Sequence, residues 1–438
     1  MSLLRADQTL TTNSYYAATA PREQVFPALQ ENVDCDVAIV GGGLAGLSAA
    51  IELADRGFTV ALLEARSIGW GASGRNGGQA LAGLACDPSE IEAQLGLDGA
   101  RRVWDMTLEA LDLIHARCER FGIDCEWQAG CLSLATSARK ARKLHEQQMQ
   151  LQRGYGFETT WIAPQDLPRW IASPRFHSGL HDGRSGHLHP LKYSLGLARA
   201  AATLGVRVFE NSAATALRPG AVARLSTAQG EVRARYVLLA GNVYLQGIAP
   251  LLERRIMPVG TYIVTSEALE PALADSLIPS RAAVCDTNFV LDYFRPTRDA
   301  RMLYGGRVSY STRTPANLAA SLQARMAATF PQLEGTDVAY AWGGFVDITM
   351  NRAPDFGRLP DAGADRSFGN VYYLQGFSGH GLALTGLAGK LVAEAIGGNA
   401  SRFETFRRIR HRPFPGGPRW RTPALVAGMA YYRLRDML

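Results

Sequence analysis

Near the N-terminus, apolar and polar positions predict a strand, a helix and a second strand in close succession. Val37–Val40 is a short apolar run rich in β-branched residues, which is typical of a strand buried on both faces. The following segment, Leu44–Arg56, predicts a helix that ends at Gly57, and Thr59–Leu63 predicts the second strand. The pattern therefore places a tight turn, residues 41–43, between the first strand and the helix.

The pattern then becomes helical and later returns to strands. Helices are predicted over Pro88–Ala110, Leu111–Phe121, Ser137–Gly154 and Pro190–Leu204, and strands over Val206–Glu210 and Tyr236–Ala240. Residues 256–310 alternate apolar and polar positions with aromatic residues, which predicts antiparallel strands. These strands are Ile256–Ser266, Ala283–Phe294 and Arg301–Ser309, followed by a helix over Ala316–Phe330 and a strand over Val338–Val346. A strand over Asn370–Gln375 leads into a turn and a helix, which repeats the pattern of the N-terminal segment.

The order of these elements predicts two domains. The chain has 438 residues, more than the roughly 250–300 residues at which a single core stops growing. We assign residues 34–100, 180–255 and 345–400 to a discontinuous first domain, and 101–179 and 256–344 to an inserted mixed domain. Residues 1–33 form an N-terminal arm. Residues 401–438 form a basic C-terminal tail with an amphipathic stretch, which suits a helix on a membrane surface or, better, one that docks on the protein or a partner subunit.

Composition excludes several classes of protein. A hydrophobic content of 47% and a charged content of 20% are ordinary for a soluble globular protein, and a net charge of +6 suits an anionic cofactor or substrate. Basic residues are not interleaved with aromatic ones, so no nucleic-acid partner is expected. The N-terminus lacks a secretory signal, and no apolar stretch is long enough for an integral membrane segment. The six cysteines show neither C-x-x-C pairs nor zinc spacing, so we expect reduced thiols, no metal and a cytoplasmic protein.

The turn after the first strand carries the strongest chemical signal. Gly41, Gly43 and Gly46 have G-x-G-x-x-G spacing, which permits a tight turn, a close approach to pyrophosphate and close helix packing. The helix that follows directs its free N–H groups at phosphates. Glu64 ends the second strand, where a carboxylate can accept a hydrogen bond from a ribose diol. The motif alone also fits a glycine-rich turn of any α/β domain, but the complete arrangement predicts a dinucleotide site.

Two further loops favour FAD over a nicotinamide cofactor. The sequence has no convincing second G-x-G-x-x-G unit, but has GASGRNGGQ at 71–79 and GFSGHG at 376–381, both able to approach a large flat ligand. The first could be a flexible surface loop, although Ser73, Arg75 and Asn76 supply hydrogen-bonding groups among its small residues. The second begins a helix, so its N–H groups can stabilise negative charge on a reduced flavin. There, His380 is either a structural histidine or a neighbour of the flavin ring.

These motifs, in this order along nearly the whole chain, resemble the D-amino-acid oxidase/glycine oxidase type of FAD-dependent oxidoreductase. SYYAATA at 14–20, IGWGASGRNGGQ at 68–79 and the basic tail are similar to the branch of γ-glutamylputrescine oxidoreductases. The resemblance implies an α/β fold with an α+β insert, in which a Rossmann-like FAD domain of the glutathione-reductase-2 type carries an inserted, largely antiparallel substrate domain. It also implies oxidation of a γ-glutamylated polyamine at its C–N bond, with dioxygen reduced to peroxide.

The resemblance also implies roles for individual residues. Carried over by position, the FAD-binding residues are Gly41, Gly43 and Gly46 at the pyrophosphate, Glu64 and Arg66 at the adenosine ribose, Ala214 at adenine, Ser73, Arg75, Asn76, Gly77 and Gly78 at the ribityl chain and isoalloxazine, and Gly376, Ser378, Gly379, His380 and Gly381 at the pyrimidine edge. No catalytic residue is assigned, and His380 and Arg75 are the candidates. Candidates for the substrate pocket are Tyr262, Tyr293, Phe294, Trp342 and Val346, with plain core packing as the alternative for each aromatic residue.

Three departures from the family pattern refine the function. Amino-acid oxidases of this family read W-x-G-L-R-P, with the arginine on the substrate carboxylate, but here Val346 takes that place. A small-molecule amine is therefore a better substrate than a free amino acid. The loop at 71–79 has no histidine or cysteine, and the late loop has no cysteine, which favours non-covalent FAD. The strand that carries a lysine in related amine oxidases has only Arg301 and Arg307, so we predict an oxidase with a dehydrogenase as the alternative.

Overall fold

The structure, a computed structural model, describes residues 4, 7, 10, 13–245, 247–288, 290–309, 317–363 and 365–415, with the backbone alone at 307–309, 361–362 and 366. The helices in these ranges are α1 (Tyr15–Thr19), α2 (Leu44–Asp55), α3 (Pro88–Phe121), α4 (Ala138–Tyr155), α5 (Pro190–Thr203), α6 (Pro250–Glu253), α7 (Pro271–Leu277), α8 (Leu318–Thr329), α9 (Gly381–Ile396) and α10 (Ser401–Arg407). The strands are β1 (Val33–Val40), β2 (Val60–Leu63), β3 (Gln79–Ala80), β4 (Gln128–Ala135), β5 (Thr160–Ile162), β6 (Ser178–His187), β7 (Arg207–Phe209), β8 (Ala216–Arg218), β9 (Ala223–Ser226), β10 (Glu231–Leu239), β11 (Met257–Ser266), β12 (Ala283–Asp286), β13 (Tyr293–Pro296), β14 (Met302–Ser309), β15 (Val338–Ile348), β16 (Asp355–Arg358) and β17 (Val371–Gln375).

The first sheet is parallel at its centre. Its strands lie in the order β16-β17-β10-β1-β2-β7, and β8 and β9 are attached through β10. The pairs from β17 to β7 are parallel, whereas β16 is antiparallel to β17. Side chains of β1 alternate between two cores, because Val37 and Ile39 belong to one hydrophobic cluster and Ala38 and Val40 to another. Coverage on both faces explains why the second half of β1, Val37–Val40, is continuously apolar.

Helices α2 and α9 cover one face of this sheet and lie in close contact. A Cβ atom at Gly389 would lie 2.5 Å from the backbone nitrogen of Ala49, so only glycine permits this approach. The Ser48 hydroxyl donates a hydrogen bond to the carbonyl oxygen of Gly386 at 2.5 Å. Since the strands before these helices run parallel in one sheet, both helices begin at the same edge, where ligands bind in open α/β sheets.

The second sheet is larger and mostly antiparallel. Its strands lie in the order β15-β11-β14-β13-β12-β4-β6-β3, and β5 pairs with β6. The pair β4–β12 is parallel, and the other pairs are antiparallel. One face packs on a hydrophobic core to which α8 contributes Leu322 and Met326. The other face is turned towards the first sheet and forms the roof of a cavity.

The predicted fold class, a Rossmann-like domain with an inserted and largely antiparallel sheet, is confirmed. Two predicted elements were wrong in detail. The long helix α3 is interrupted at Gly96, which has a left-handed φ of 72°, and not after Ala110. The strand predicted over Ala283–Phe294 is two strands, because the Asp286 carboxylate accepts hydrogen bonds from the backbone nitrogens of Asn288 and Asp292 and forms a turn.

The predicted domain boundaries at 180 and 345 fall inside β6 and β15, which are continuous strands of the second sheet. If each domain is defined by its sheet, these boundaries lie after residue 187 and after residue 348. None of the helices in the described ranges is both long and apolar enough to cross a membrane. The tail begins with α10, and its amphipathic stretch lies outside the described residues.

Candidate active site

The glycine turn between β1 and α2 has no room for side chains. Gly41 has a φ of +116°, and a Cβ atom there would lie 2.5 Å from the carbonyl oxygen of Ala240. A Cβ at Gly43 would lie 2.7 Å from the Ser73 hydroxyl, and one at Gly46 would collide with the carbonyl oxygen of Gly41. Each glycine of the motif is thus required by a different contact. The turn leaves the N-terminus of α2 open towards a ligand.

Glu64 lies at the end of β2, as predicted. Its carboxylate accepts hydrogen bonds from the backbone nitrogens of Gly42 and Arg66, each at 2.8 Å, and burial raises its pKa. Ser212 donates its backbone N–H to the Glu64 carbonyl oxygen, which brings half-buried Ala214 into the same neighbourhood. These residues form one edge beside the glycine turn, the place where adenosine was predicted to bind.

The loop at 71–79 folds on itself through Asn76. The Asn76 side chain donates to the carbonyl oxygens of Ala72 and Ser73 and accepts from the backbone nitrogen of Gly78. The Ser73 hydroxyl accepts a hydrogen bond from the backbone nitrogen of Leu44 at 2.9 Å, so it lies at the N-terminus of α2. A Cβ at Gly77 would lie 2.6 Å from the ring of Tyr293, which shows how closely this loop approaches the second sheet.

Arg75 does not offer a free guanidinium for catalysis. Its side chain donates two hydrogen bonds to the Asp7 carboxylate, at 2.7 and 3.0 Å, and one to the carbonyl oxygen of Gly343 at 2.9 Å. The guanidinium also lies 4.7 Å from the ring centre of Trp70, and the Tyr244 hydroxyl donates to Asp7. The candidate role of Arg75 as a catalytic residue is therefore corrected, since the structure gives it the task of joining the arm, the loop and β15.

The late loop, residues 376–381, is held to β15 by Asp347, which the sequence reasoning missed. The Asp347 carboxylate accepts from the backbone nitrogen of Gly376 at 2.5 Å, and its carbonyl oxygen accepts from that of Ser378 at 2.9 Å. Gly376, Ser378 and Gly379 all have positive φ angles. Burial raises the pKa of Asp347 to about 7. A single acid in the apolar run Trp342–Ile348 was the signal that could have identified it.

His380 lies directly before α9, at the edge of the same loop. Its Nε2 is 3.3 Å from the carbonyl oxygen of Ala82, and burial lowers its pKa below the usual value. The imidazole is therefore neutral at pH 7. Gly381 begins the helix, and a Cβ there would lie 3.0 Å from the Phe377 side chain.

A cavity of about 950 Å³ connects these loops. It extends from Gly43 at the glycine turn, along the loops at 71–79 and 376–381, and beneath the second sheet as far as α4. Its volume is at the upper end of the range for ligand sites, roughly 300–1,000 Å³. Such a volume can hold part of a dinucleotide cofactor together with a second, smaller molecule.

The five pocket candidates divide by the face of the sheet on which they lie. Tyr293 and Val346 line the cavity. Tyr262 and Phe294 are fully buried in the core on the opposite face, because neighbouring residues of a strand point to opposite sides. Trp342 is buried against the ring of Tyr16 and does not line the cavity, and its Nε1 donates to the Arg75 carbonyl oxygen at 3.0 Å. Placing these last three in the pocket wall was therefore wrong.

The residues present fit FAD. The glycine turn leaves room for a pyrophosphate at a helix N-terminus, Glu64 lies beside that turn, and two glycine-rich loops border the cavity. The cavity wall includes Cys86, Cys131 and Cys285. Burial raises the pKa of Cys86 to about 12, and the neighbouring Cys285 thiol together with burial raises the pKa of Cys131. Since the thiolate is the nucleophilic form, these two thiols are poorly suited to covalent attachment.

Comparison with known proteins agrees with this geometry. The family model described as DAO, FAD dependent oxidoreductase, matches residues 36–395. γ-Glutamylputrescine oxidoreductase of Escherichia coli (strain K12) is 43% identical over 428 residues, which cover 98% of this chain and 99% of the relative. Glycine oxidase of Geobacillus kaustophilus is 26% identical over 86% of this chain and 97% of its own.

Solved structures show the same fold. The crystal structure of that glycine oxidase superposes with a TM-score of 0.71 at 24% identity, covering 83% of this chain and 95% of the other. L-Proline dehydrogenase from P. horikoshii superposes with a TM-score of 0.70 at 19% identity, covering 87% and 98%. The predicted FAD cofactor and enzyme class are confirmed. The chain therefore belongs to the DAO family of FAD-dependent oxidoreductases, whose members act on amines and amino acids.

Proposed function

We propose that this enzyme oxidises the terminal amine carbon of a γ-glutamylated polyamine such as γ-glutamylputrescine. The product is an imine that hydrolyses to an aldehyde, and dioxygen is reduced to hydrogen peroxide. The observation that carries the proposal is the 43% identity to γ-glutamylputrescine oxidoreductase over nearly all of both chains. Bound FAD supplies the two-electron acceptor for this reaction.

The cavity wall supports an amine rather than a free α-amino acid. Val346, on β15, lines the cavity, and by the resemblance to the W-x-G-L-R-P pattern it takes the place of the carboxylate-binding arginine of the amino-acid oxidases. Among the described residues of the wall, the two arginines are Arg75, which is engaged by Asp7, and Arg352 on the loop after β15. At the Val346 position itself, a small amino acid would therefore lack the side-chain partner that the arginine of the amino-acid oxidases gives its carboxylate.

The same wall favours the reactive form of the amine. Tyr293, Val346 and Leu291 surround part of the cavity with largely apolar surface, and His380 is neutral. Desolvation disfavours an ammonium ion and lowers its pKa, so an amine bound here loses its proton more readily than in water. The neutral amine has the lone pair that assists cleavage of the adjacent C–H bond. No acid–base side chain has to take part in this step.

One observation keeps a dehydrogenase as the second candidate. Arg301, a candidate for assisting the reaction with dioxygen, donates to the Asp299 carboxylate at 2.9 Å and to the Ser266 carbonyl oxygen at 3.1 Å, and does not line the cavity. The side chain of Arg307 lies outside the described residues. The described part of the cavity wall also contains no lysine. Electron transfer to a quinone or a carrier protein would need none of these cations near the flavin.

The test uses the purified FAD-loaded protein and γ-glutamylputrescine. We expect bleaching of the flavin absorbance under nitrogen and, in air, one peroxide for each aldehyde formed. Putrescine and free glutamate serve as control substrates, and both should react more slowly. Bleaching without aerobic peroxide would favour the dehydrogenase, whereas no bleaching with any of several γ-glutamylated amines would contradict the proposal. Acid precipitation should release the flavin into the supernatant, as expected for non-covalent FAD.

A further inference from the structure

The cavity has a distal lobe to which none of the predicted FAD-binding residues contributes. Beyond Tyr293, it continues across the second sheet until it meets α4, and two sets of side chains enclose it there. Helix α4 contributes Leu144, Gln147 and Leu151, which share one face because they are three or four residues apart. Strand β6 contributes alternate residues, Leu180 and Asp182.

The distal lobe lies far enough from Tyr293 to hold the other end of a long substrate. A Cβ atom at Gly77 would lie 2.6 Å from the Tyr293 ring, so β13 marks the end of the cavity at the loop at 71–79. Strand β6 is the third strand from β13, through β12 and β4. At about 4.8 Å for each step, Asp182 is roughly 14 Å from that point. An α-amino acid at the flavin could not reach it, but an extended capped polyamine could.

Asp182 supplies the lobe with a negative charge that no cation in the described part of the chain neutralises. Its carboxylate accepts from the backbone nitrogens of Arg184, at 2.8 Å, and Ser185, at 3.2 Å, and from the Ser185 hydroxyl. The Arg184 guanidinium binds instead to Asp112. Since a carboxylate has about four acceptor positions and these contacts use three, one position remains for a ligand.

The other charges on the described cavity wall are placed differently. Asp347 is the second acid, but its carboxylate is buried against the backbone of Gly376. Arg75 is paired with Asp7. Arg352 follows β15, which is one edge strand of the sheet, whereas β6 lies next to the other edge strand, β3. The distal lobe is therefore the part of the cavity that attracts a positive group. Apolar Trp104, Leu151 and Phe157 line the neighbouring wall and suit a methylene chain.

We propose that Asp182 is a specificity-determining residue, which binds an ammonium group at the far end of the substrate. In the substrate named above, this group is the α-ammonium of the γ-glutamyl cap, so the assignment rests on the proposed function. A free polyamine offers the same chemistry through its second ammonium. In both cases, Asp182 fixes the distal end while the near amine lies at the flavin.

The first test measures binding without turnover. γ-Glutamyl-n-butylamide keeps the α-ammonium but has no reacting amine, and glutaryl-n-butylamide lacks both. Each is titrated into the FAD-loaded protein, and the dissociation constant is read from the change in flavin absorbance. We expect the γ-glutamyl compound to bind at least about 10-fold more tightly, as a charged hydrogen bond provides. Asp182→Asn should abolish this preference and leave the binding of the glutaryl compound unchanged.

Asp112→Asn is the matched control, because Asp112 is an exposed acid that contacts the same segment through Arg184. This variant should keep the preference. If Asp182→Asn weakened the binding of both compounds equally, the role of Asp182 would be merely structural and the proposal would be overturned. A preference that persists in Asp182→Asn would overturn it as well.

The second test uses kinetics and separates the two sources of the ammonium. With γ-glutamylputrescine, Asp182→Asn should raise KM by about 10-fold and leave kcat within about twofold, since uniform binding is lost. The site serves a polyamine ammonium if Asp182→Asn raises the KM for spermidine and the wild-type protein does not prefer the γ-glutamyl compound over the glutaryl compound. If the wild-type protein does not oxidise γ-glutamylputrescine but still prefers the γ-glutamyl analogue, the proposed function fails and the ammonium site stands. A KM unchanged with both substrates overturns the ammonium site, whatever the activity.

Discussion

Asp347 and Arg75 are both buried charged residues beside the cofactor loops, but their contacts give them different tasks. Asp347 has no cationic partner among the described residues, and it holds the late loop through the backbone nitrogen of Gly376. Arg75 has a carboxylate, a carbonyl oxygen and an aromatic ring around it. Burial without a counter-charge raises the pKa of a carboxyl group, whereas pairing preserves the charge. Only the residue with the unpaired charge is expected to titrate near neutral pH.

Asp347 should make stability depend on pH. Its pKa is about 3.9 in an unfolded chain and about 7 in the folded protein. Between these values the unfolded chain binds fewer protons, so stability falls as pH rises from about 4 to about 7 and is level above that. Asp347→Asn keeps an acceptor for the Gly376 nitrogen but does not titrate. Between pH 5 and 8, the wild-type protein should lose on the order of 2 kcal/mol relative to this variant.

Urea unfolding of both FAD-loaded proteins at pH 5, 6, 7 and 8 measures this difference. Other groups that titrate in the interval, such as Asp286, whose pKa is raised to about 6 by burial, are common to both proteins and cancel. Parallel stability curves for the two proteins would show that Asp347 does not carry the predicted proton.

At the scale of elements, the sequence was sufficient to predict a structure where contacts within one strand–turn–helix unit determine it. The turn at Gly41 and the ends of β1, α2 and β2 were predictable, because the close contacts of these glycines recur in every such unit. The face of β11 and of β13 that lines the cavity was not predictable from the sequence. Tyr262 and Tyr293 are both aromatic residues of strands, and only the pairing of the strands decides which face each one joins. The same holds for Arg75, whose partner Asp7 is far away in the chain.

The glycine turn between β1 and α2 leads to a prediction about FAD binding. Gly46→Ala places a methyl group against the carbonyl oxygen of Gly41, so the turn must open and the N-terminus of α2 moves away from the pyrophosphate. We expect this variant to bind FAD at least about 10-fold more weakly, as the loss of one charge-assisted hydrogen bond would give. The measurement is FAD content after purification and the dissociation constant of the apoprotein.

Gly154→Ala is the matched control for this prediction. Gly154 lies in α4, where a Cβ meets nothing within 4 Å, and alanine is the better helix former. This variant should bind FAD as the wild-type protein does. If Gly46→Ala retained full FAD affinity, the turn would not have the role assigned to it.

At the scale of the whole molecule, the cavity exists because two sheets with different tasks are held face to face. The first sheet presents helix N-termini and glycine turns, and the second supplies the roof and the distal lobe. The N-terminal arm joins them through Asp7, whose bond to Arg75 connects the loop at 71–79 with the Gly343 carbonyl oxygen on β15. The arm is therefore expected to support the site although it contributes no residue to the cavity wall in the described ranges.

Asp7→Asn tests this role of the arm. The substitution leaves the buried guanidinium of Arg75 without a counter-charge, and breaking a buried pair in this way costs about 3–5 kcal/mol. Asp55→Asn is the control, because its bond to Arg120 is largely exposed and such pairs contribute at most about 1 kcal/mol. Urea unfolding followed by flavin fluorescence should show a much lower midpoint for Asp7→Asn and release of FAD together with loss of structure. Equal midpoints for the two variants would mean that the arm is not coupled to the cavity, and that Arg75 is held by Gly343 and Trp70 alone.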